Sequence, residues 1–110
     1  MKFLLLIEGE SKWAQLSPAE MQAGIEKYSA FAAELRASSQ LVDADGLDPK
    51  RVQVGPGALV TDGPFPEAKE MIGGYYIFNA ESWDDAIAIS KRCPALDYGA
   101  HIELRKIMDY

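Results

Sequence analysis

The chain opens on Phe3-Leu4-Leu5-Leu6-Ile7, an unbroken apolar run closed by Glu8 and Gly9. A run this short, rich in branched and aromatic side chains and followed by polar residues, predicts a strand over 3–8 that is apolar on both faces. Ser17-Pro18-Ala19-Glu20 then supplies a cap hydroxyl, a proline at the first helical position and a glutamate at the third, the parts of a capping box. Behind it Met21, Ile25, Tyr28, Ala32 and Leu35 recur at steps of three and four. That spacing predicts a helix with one apolar stripe, off which Glu26, Lys27 and Glu34 fall, and Ser38 and Ser39 end it. Leu41 to Ala44 predicts a short strand closed by Asp45-Gly46. Arg51 to Val54 alternates, Gly55-Pro56-Gly57 turns and 58–61 runs back, so this segment predicts a hairpin. Gly73-Gly74 leads into Tyr75-Tyr76-Ile77-Phe78, a strand with apolar bodies on both faces. Ser82 and Asp85 cap a second helix through Ala86, Ile87 and Ile89 to Cys93, where Pro94 prevents continuation. His101-Ile102-Glu103-Leu104-Arg105 alternates strictly and is the last strand.

Strand, helix, strand, inserted hairpin, strand, helix, strand is the split βαβ order of ferredoxin-like α+β domains: one antiparallel sheet with two helices on one face, here a single domain over 1–110. In that topology the first strand and the Tyr75–Phe78 strand are central, which accounts for their two apolar faces. Two helices cover only one of those faces. Residues of the first strand and one tyrosine of the pair would then form an exposed apolar patch. The simplest cover is a second copy packing sheet on sheet, so the pattern predicts a homodimer, a dimeric α/β barrel.

Composition narrows the class. With 110 residues, 48% hydrophobic and 25% charged, the chain reads as one ordinary globular domain, and disorder and collagen are excluded. No 20-to-50-residue period repeats. No run approaches the length of a membrane helix or of a secretory core, so the expectation is a cytoplasmic protein with no membrane partner. Cys93 is the single cysteine, which excludes an internal disulfide. Eleven basic against 17 acidic residues leave a charge of −6, which argues against direct binding to nucleic acid.

Val60-Thr61-Asp62-Gly63-Pro64-Phe65, followed by Glu67, Lys69-Glu70 and Gly73-Gly74-Tyr75, resembles the signature of the DGPF-type branch of the YCII-related family. The likeness extends to Met1-Lys2-Phe3-Leu4-Leu5-Leu6-Ile7, to Trp13 ahead of Leu16-Ser17-Pro18, and to Ile102-Glu103-Leu104-Arg105. The resemblance implies a dimeric ferredoxin-like fold, bacterial origin and frequent association with extracytoplasmic-function sigma factors, without a settled activity. Relatives in the wider group have been proposed to use a His and Asp pair as acid and base. Here the only histidine is His101, in the last strand, and the first strand and first helix hold none. Asp62, which matches the aspartate of the motif, is therefore the one residue carried over.

The residues themselves offer further chemistry. Asp62-Gly63-Pro64 is a turn that stays stiff, and its carboxylate either caps the turn's own amides or faces a ligand or a proton transfer. His101, Glu103 and Arg105 share one strand face. They read either as a solvated edge with Glu103 and Arg105 paired, or as a cleft in which Arg105 and Glu103 hold a ligand and His101 moves a proton. Tyr75 and Tyr76 point to opposite faces, one into the core and the other as a pocket wall. Trp13 is either a lid or an anchor. Cys93, at a helix end without a neighbouring histidine, reads as structural. No ligand spacing for a metal and no phosphate-binding glycine loop is present, so no metal and no cofactor are assigned. Two functions remain open. One is a homodimeric module binding a small polar or aromatic ligand or a transcription-related protein. The other is a cofactor-independent lyase or isomerase with Asp62 as acid or base.

Overall fold

A computed structural model describes residues 1–9, 12–48, 50–62 and 72–110 of the chain, with the backbone alone at Ala14, Thr61 and Asp62. Gly63-Pro64-Phe65, Glu67 and Lys69-Glu70 of the motif lie outside the described residues, as does the side chain of Asp62.

The elements follow the predicted order. β1 (Lys2–Glu8) leads through a 3-10 turn, Lys12–Gln15, into α1 (Pro18–Ala37); β2 (Leu41–Gly46), β3 (Val52–Val54), β4 (Val60–Asp62) and β5 (Ile72–Asn79) follow; α2 (Trp83–Lys91) and β6 (His101–Lys106) close the chain. The capping box forms as the sequence implies: the Glu20 amide donates to Ser17 Oγ at 3.2 Å and the Ser17 amide to Glu20 Oε1 at 3.0 Å. At α2 the Asp85 amide donates to Ser82 Oγ at 3.1 Å. A further 3-10 turn, Pro94–Tyr98, follows the proline that ends α2 and was not foreseen.

The main sheet runs β2-β5-β1-β6 with every neighbouring pair antiparallel, so β1 and β5 are central and β2 and β6 are edges. β3 and β4 form a separate hairpin in which Val52 faces Asp62 and Val54 faces Val60. Phe3, Leu5 and Phe78 are fully buried under the helices with Leu35 of α1, and Phe31 meets Tyr76 edge to face at 5.2 Å. The stripe of α1 differs in detail from its prediction. Gly24, Tyr28, Phe31 and Leu35 face the sheet, whereas Ile25 is 46% exposed, because the helix is rolled so that Phe31 meets Tyr76 and Gly24 meets Trp13. Two irregularities interrupt the sheet: a shift between Leu41 and Asp43 where β2 begins after α1, and one opposite Ile7 and Glu8 that leaves Gly73 of β5 without a partner in β1. Only the second belongs to the end of the sheet where the cavity lies.

Candidate functional site: an aromatic cavity beneath the first helix

Between α1 and the sheet, at the end where β1 finishes and β5 begins, lies a cavity of about 660 Å³ with mostly apolar walls. Trp13, Tyr28 and Tyr76 give it aromatic walls, and Ile7 and Ala32 border it. Its volume arises from what the sequence leaves out. On the helix-facing side of β2 and β5 the register sets Ala44 opposite Tyr76 and Gly46 opposite Gly74, so this corner of the sheet carries almost no side chains. A Cβ placed on Gly46 or Gly73 would meet nothing within 4 Å, whereas one on Gly74 would come within 3.1 Å of the Asp45 carbonyl. Gly74 is thus required by close strand approach, and Gly46 and Gly73 leave open space.

Trp13, from the 3-10 turn after β1, closes one end. Its indole stands edge to face against Tyr28 at 5.8 Å and Tyr98 at 5.3 Å. The sequence left lid and anchor open for Trp13; the packed indole is an anchor that also walls the cavity. Tyr98 is held beside α1 by Lys27, whose ammonium lies 5.7 Å from its ring and 3.7 Å from Asp97.

The polar side chains of the lining are the phenols of Tyr28, Tyr75 and Tyr76, the Trp13 indole and the Asp45 carboxylate, which accepts from the Gly46 amide at 3.1 Å. Burial pushes the Tyr28 hydroxyl well above its ordinary pKa and the Tyr76 hydroxyl up to about 12, with the nearby Cys93 acting in the same direction on both. Both stay protonated at neutral pH and serve as hydrogen-bond donors. Neither makes a hydrogen bond among the described residues, so their capacity is open to a ligand or to solvent. Cys93 is 2% exposed and its thiol is held above the usual range by burial, which fits the inert role read from the sequence.

The structure separates the residues that the sequence grouped. Tyr76 turns to the helices and is 7% exposed; Tyr75 turns to the other sheet face, where its hydroxyl donates to Asp43 Oδ2 at 2.9 Å. That bond is the largest cause of the raised Tyr75 pKa. Both tyrosines border the cavity. His101, Glu103 and Arg105 are exposed on the outer face, with Glu103 opposite Leu6 and Arg105 opposite Leu4, and none of them lines the cavity. Among the described residues Glu103 and Arg105 form no ion pair with each other, unlike Lys27 with Asp97, Arg92 with Glu34 and Lys106 with Asp109. The β4 backbone carries Asp62 opposite Val52, in the separate hairpin. Among the described residues no group of His, Cys, Asp and Glu could hold a metal, and no helix is long and apolar enough to cross a membrane.

Sequence reasoning looked for a cleft on the uncovered face and missed the one under α1. The available signal was the set of small residues around one corner of the sheet, Ala32, Ala44, Gly46, Gly73 and Gly74, read together rather than as turns.

The four-stranded antiparallel sheet with two helices on one side defines a ferredoxin-like α+β domain. The chain belongs to the YCII-related domain family, whose model matches residues 1–110. A similar solved structure is the 5-chloro-2-hydroxyhydroquinone dehydrochlorinase TftG from Burkholderia phenoliruptrix AC1100, in complex with 2,5-dihydroxybenzoquinone. The two chains share 21% identity and a TM-score of 0.52, over 98% of this chain and 94% of that one. At this identity the likeness carries the fold. No curated protein matches the chain.

Proposed function

We propose that this member of the YCII-related family binds a compact planar ligand of phenol or quinone type in the cavity under α1. The observation that carries the reading is a mostly apolar space of about 660 Å³ whose aromatic walls include two tyrosines free of hydrogen bonds among the described residues. That volume suits a small organic molecule, for which such sites usually offer apolar walls and a few polar anchors. A ring lies against aromatic walls, and neutral phenol donors meet ring oxygens. The ligand in the similar TftG structure belongs to the same chemical class. Binding is favoured over catalysis because the buried phenols of Tyr28 and Tyr76 stay protonated donors, and the carboxylate in the lining, Asp45, is exposed and accepts from its neighbouring Gly46 amide.

The assembly reading complements it. Leu4, Leu6, Tyr75 and Ile77 form a central strip on the outer sheet face, flanked by Asp43 and Asp45 on β2 and by Glu103 and Arg105 on β6. A second copy covering this strip would bury the apolar centre and leave the charged flanks, with His101, at the rim.

Thermal melts with hydroquinone, catechol and 2,5-dihydroxybenzoquinone test the ligand class. A specific ligand raises the melting temperature by mass action, by an amount that grows with its concentration. No shift from any of the three at millimolar concentration would overturn the reading.

A further inference from the structure

We infer that Gly24 is a specificity-determining position of this cavity: its bare backbone is the seat on which the Trp13 indole rests, so a residue outside the lining sets where one wall stands. The inference rests on the ligand-binding reading above. Gly24 lies in the interior of α1, where glycine is the least favourable residue apart from proline, and it is one of that helix's three buried residues. A Cβ there would fall 2.4 Å from Trp13 Cζ3, 2.8 Å from Trp13 Cη2 and 2.9 Å from the Tyr98 hydroxyl. Ordinary carbon contacts begin near 3.5 Å, so the indole would have to move by about 1 Å or more. It cannot swing freely, because Tyr28 and Tyr98 hold it edge to face. Any displacement therefore changes its position relative to Tyr28, the neighbouring wall. The conformation of Gly24 does not explain the glycine, since its φ is not positive. The space taken by Trp13 does.

The test is a cycle of variants titrated calorimetrically with 2,5-dihydroxybenzoquinone and melted without it. Gly24→Ala should weaken binding tenfold or more. With Trp13→Ala as background, the same Gly24→Ala change should alter affinity less than twofold and raise Tm, because the remaining close contact, at the far end of the Tyr98 side chain, can relax into the space the indole leaves and alanine is the better helix former. Trp13→Phe/Gly24→Ala, in which a smaller ring relieves the contact, should recover binding to within threefold of Trp13→Phe alone. That arm keeps the test sharp if Gly24→Ala folds poorly. Binding of Gly24→Ala within twofold of wild type, or an equal loss in both backgrounds, would overturn the inference while leaving the cavity reading standing. A wild type that binds no probe would overturn both.

Discussion

Filling the cavity from the sheet side separates its role in binding from any role in folding. Gly46 is the position of choice, because it lies in β2 opposite Gly74 and a Cβ there meets nothing within 4 Å. Gly46→Val should stabilise the protein. Replacing a strand glycine recovers about 0.5–1 kcal/mol of backbone entropy, and partial burial of the new side chain against the cavity walls adds about 1 kcal/mol. A gain of about 1.5 kcal/mol raises Tm by roughly 6 °C in a domain of this size. Binding should move the other way. The three added carbons occupy the room of about three ligand atoms, worth about 0.5 kcal/mol each for a small ligand, so Kd for 2,5-dihydroxybenzoquinone should rise about tenfold. Differential scanning fluorimetry and isothermal titration on the same preparation read both effects. A variant that is more stable yet binds as wild type would show that the ligand sits elsewhere. A variant destabilised by 1 kcal/mol or more would show that the space beside Gly46 is not open.

On the outer face, Leu6→Glu should turn a dimer into a folded monomer, seen by sedimentation velocity at micromolar concentration; a wild type that is itself monomeric would remove the assembly reading. Tyr28 and Tyr76 have folded pKa values raised above the unfolded value near 10, so their contribution to stability is complete below that value and is lost as pH rises toward about 12. Melts between pH 8 and pH 12 should fall more steeply in wild type than in Tyr76→Phe. Cys93→Ser should lower stability by about 1–2 kcal/mol in urea, since a hydroxyl replaces a buried thiol, and leave ligand titrations within twofold. Asp62→Asn separates a turn cap from a proton-transfer group: loss of about 1 kcal/mol with unchanged ligand response fits a cap, whereas unchanged stability with abolished binding or turnover fits the lyase or isomerase role.

Most of the architecture was legible because each element carried its own local signal. The capping box at Ser17, the alternation at His101–Arg105 and the two-faced apolar run at Phe3–Ile7 each fix type and boundary from neighbours in the chain. The roll of α1 was not legible, because Ile25 and Phe31 both fit a helical stripe and only the partners Tyr76 and Trp13 decide between them. The tyrosine pair was legible as alternating but not in its phase, which depends on the register that sets Ala44 opposite Tyr76. The cavity was hidden for a different reason. It is built from an absence of side chains on two separate strands and a helix, and spacing along one segment cannot reveal an absence shared among three.

The glycines around that cavity argue that it is a built feature rather than a packing fault. Gly74 is required by the approach of the Asp45 carbonyl and Gly24 by the Trp13 ring, so sterics alone explain both. Gly46 and Gly73 have neither a contact to avoid nor a positive φ that would demand glycine. Each weakens its strand by about 0.5–1 kcal/mol relative to alanine, and nothing in the fold offsets that loss. A chain selected for stability alone would place a branched residue at both positions and close the space. What the two open glycines do preserve is volume next to Tyr76, at the end of the sheet where Trp13 already stands against a third glycine. Stability given up at several positions in favour of one shared void is the pattern expected where the void has an occupant.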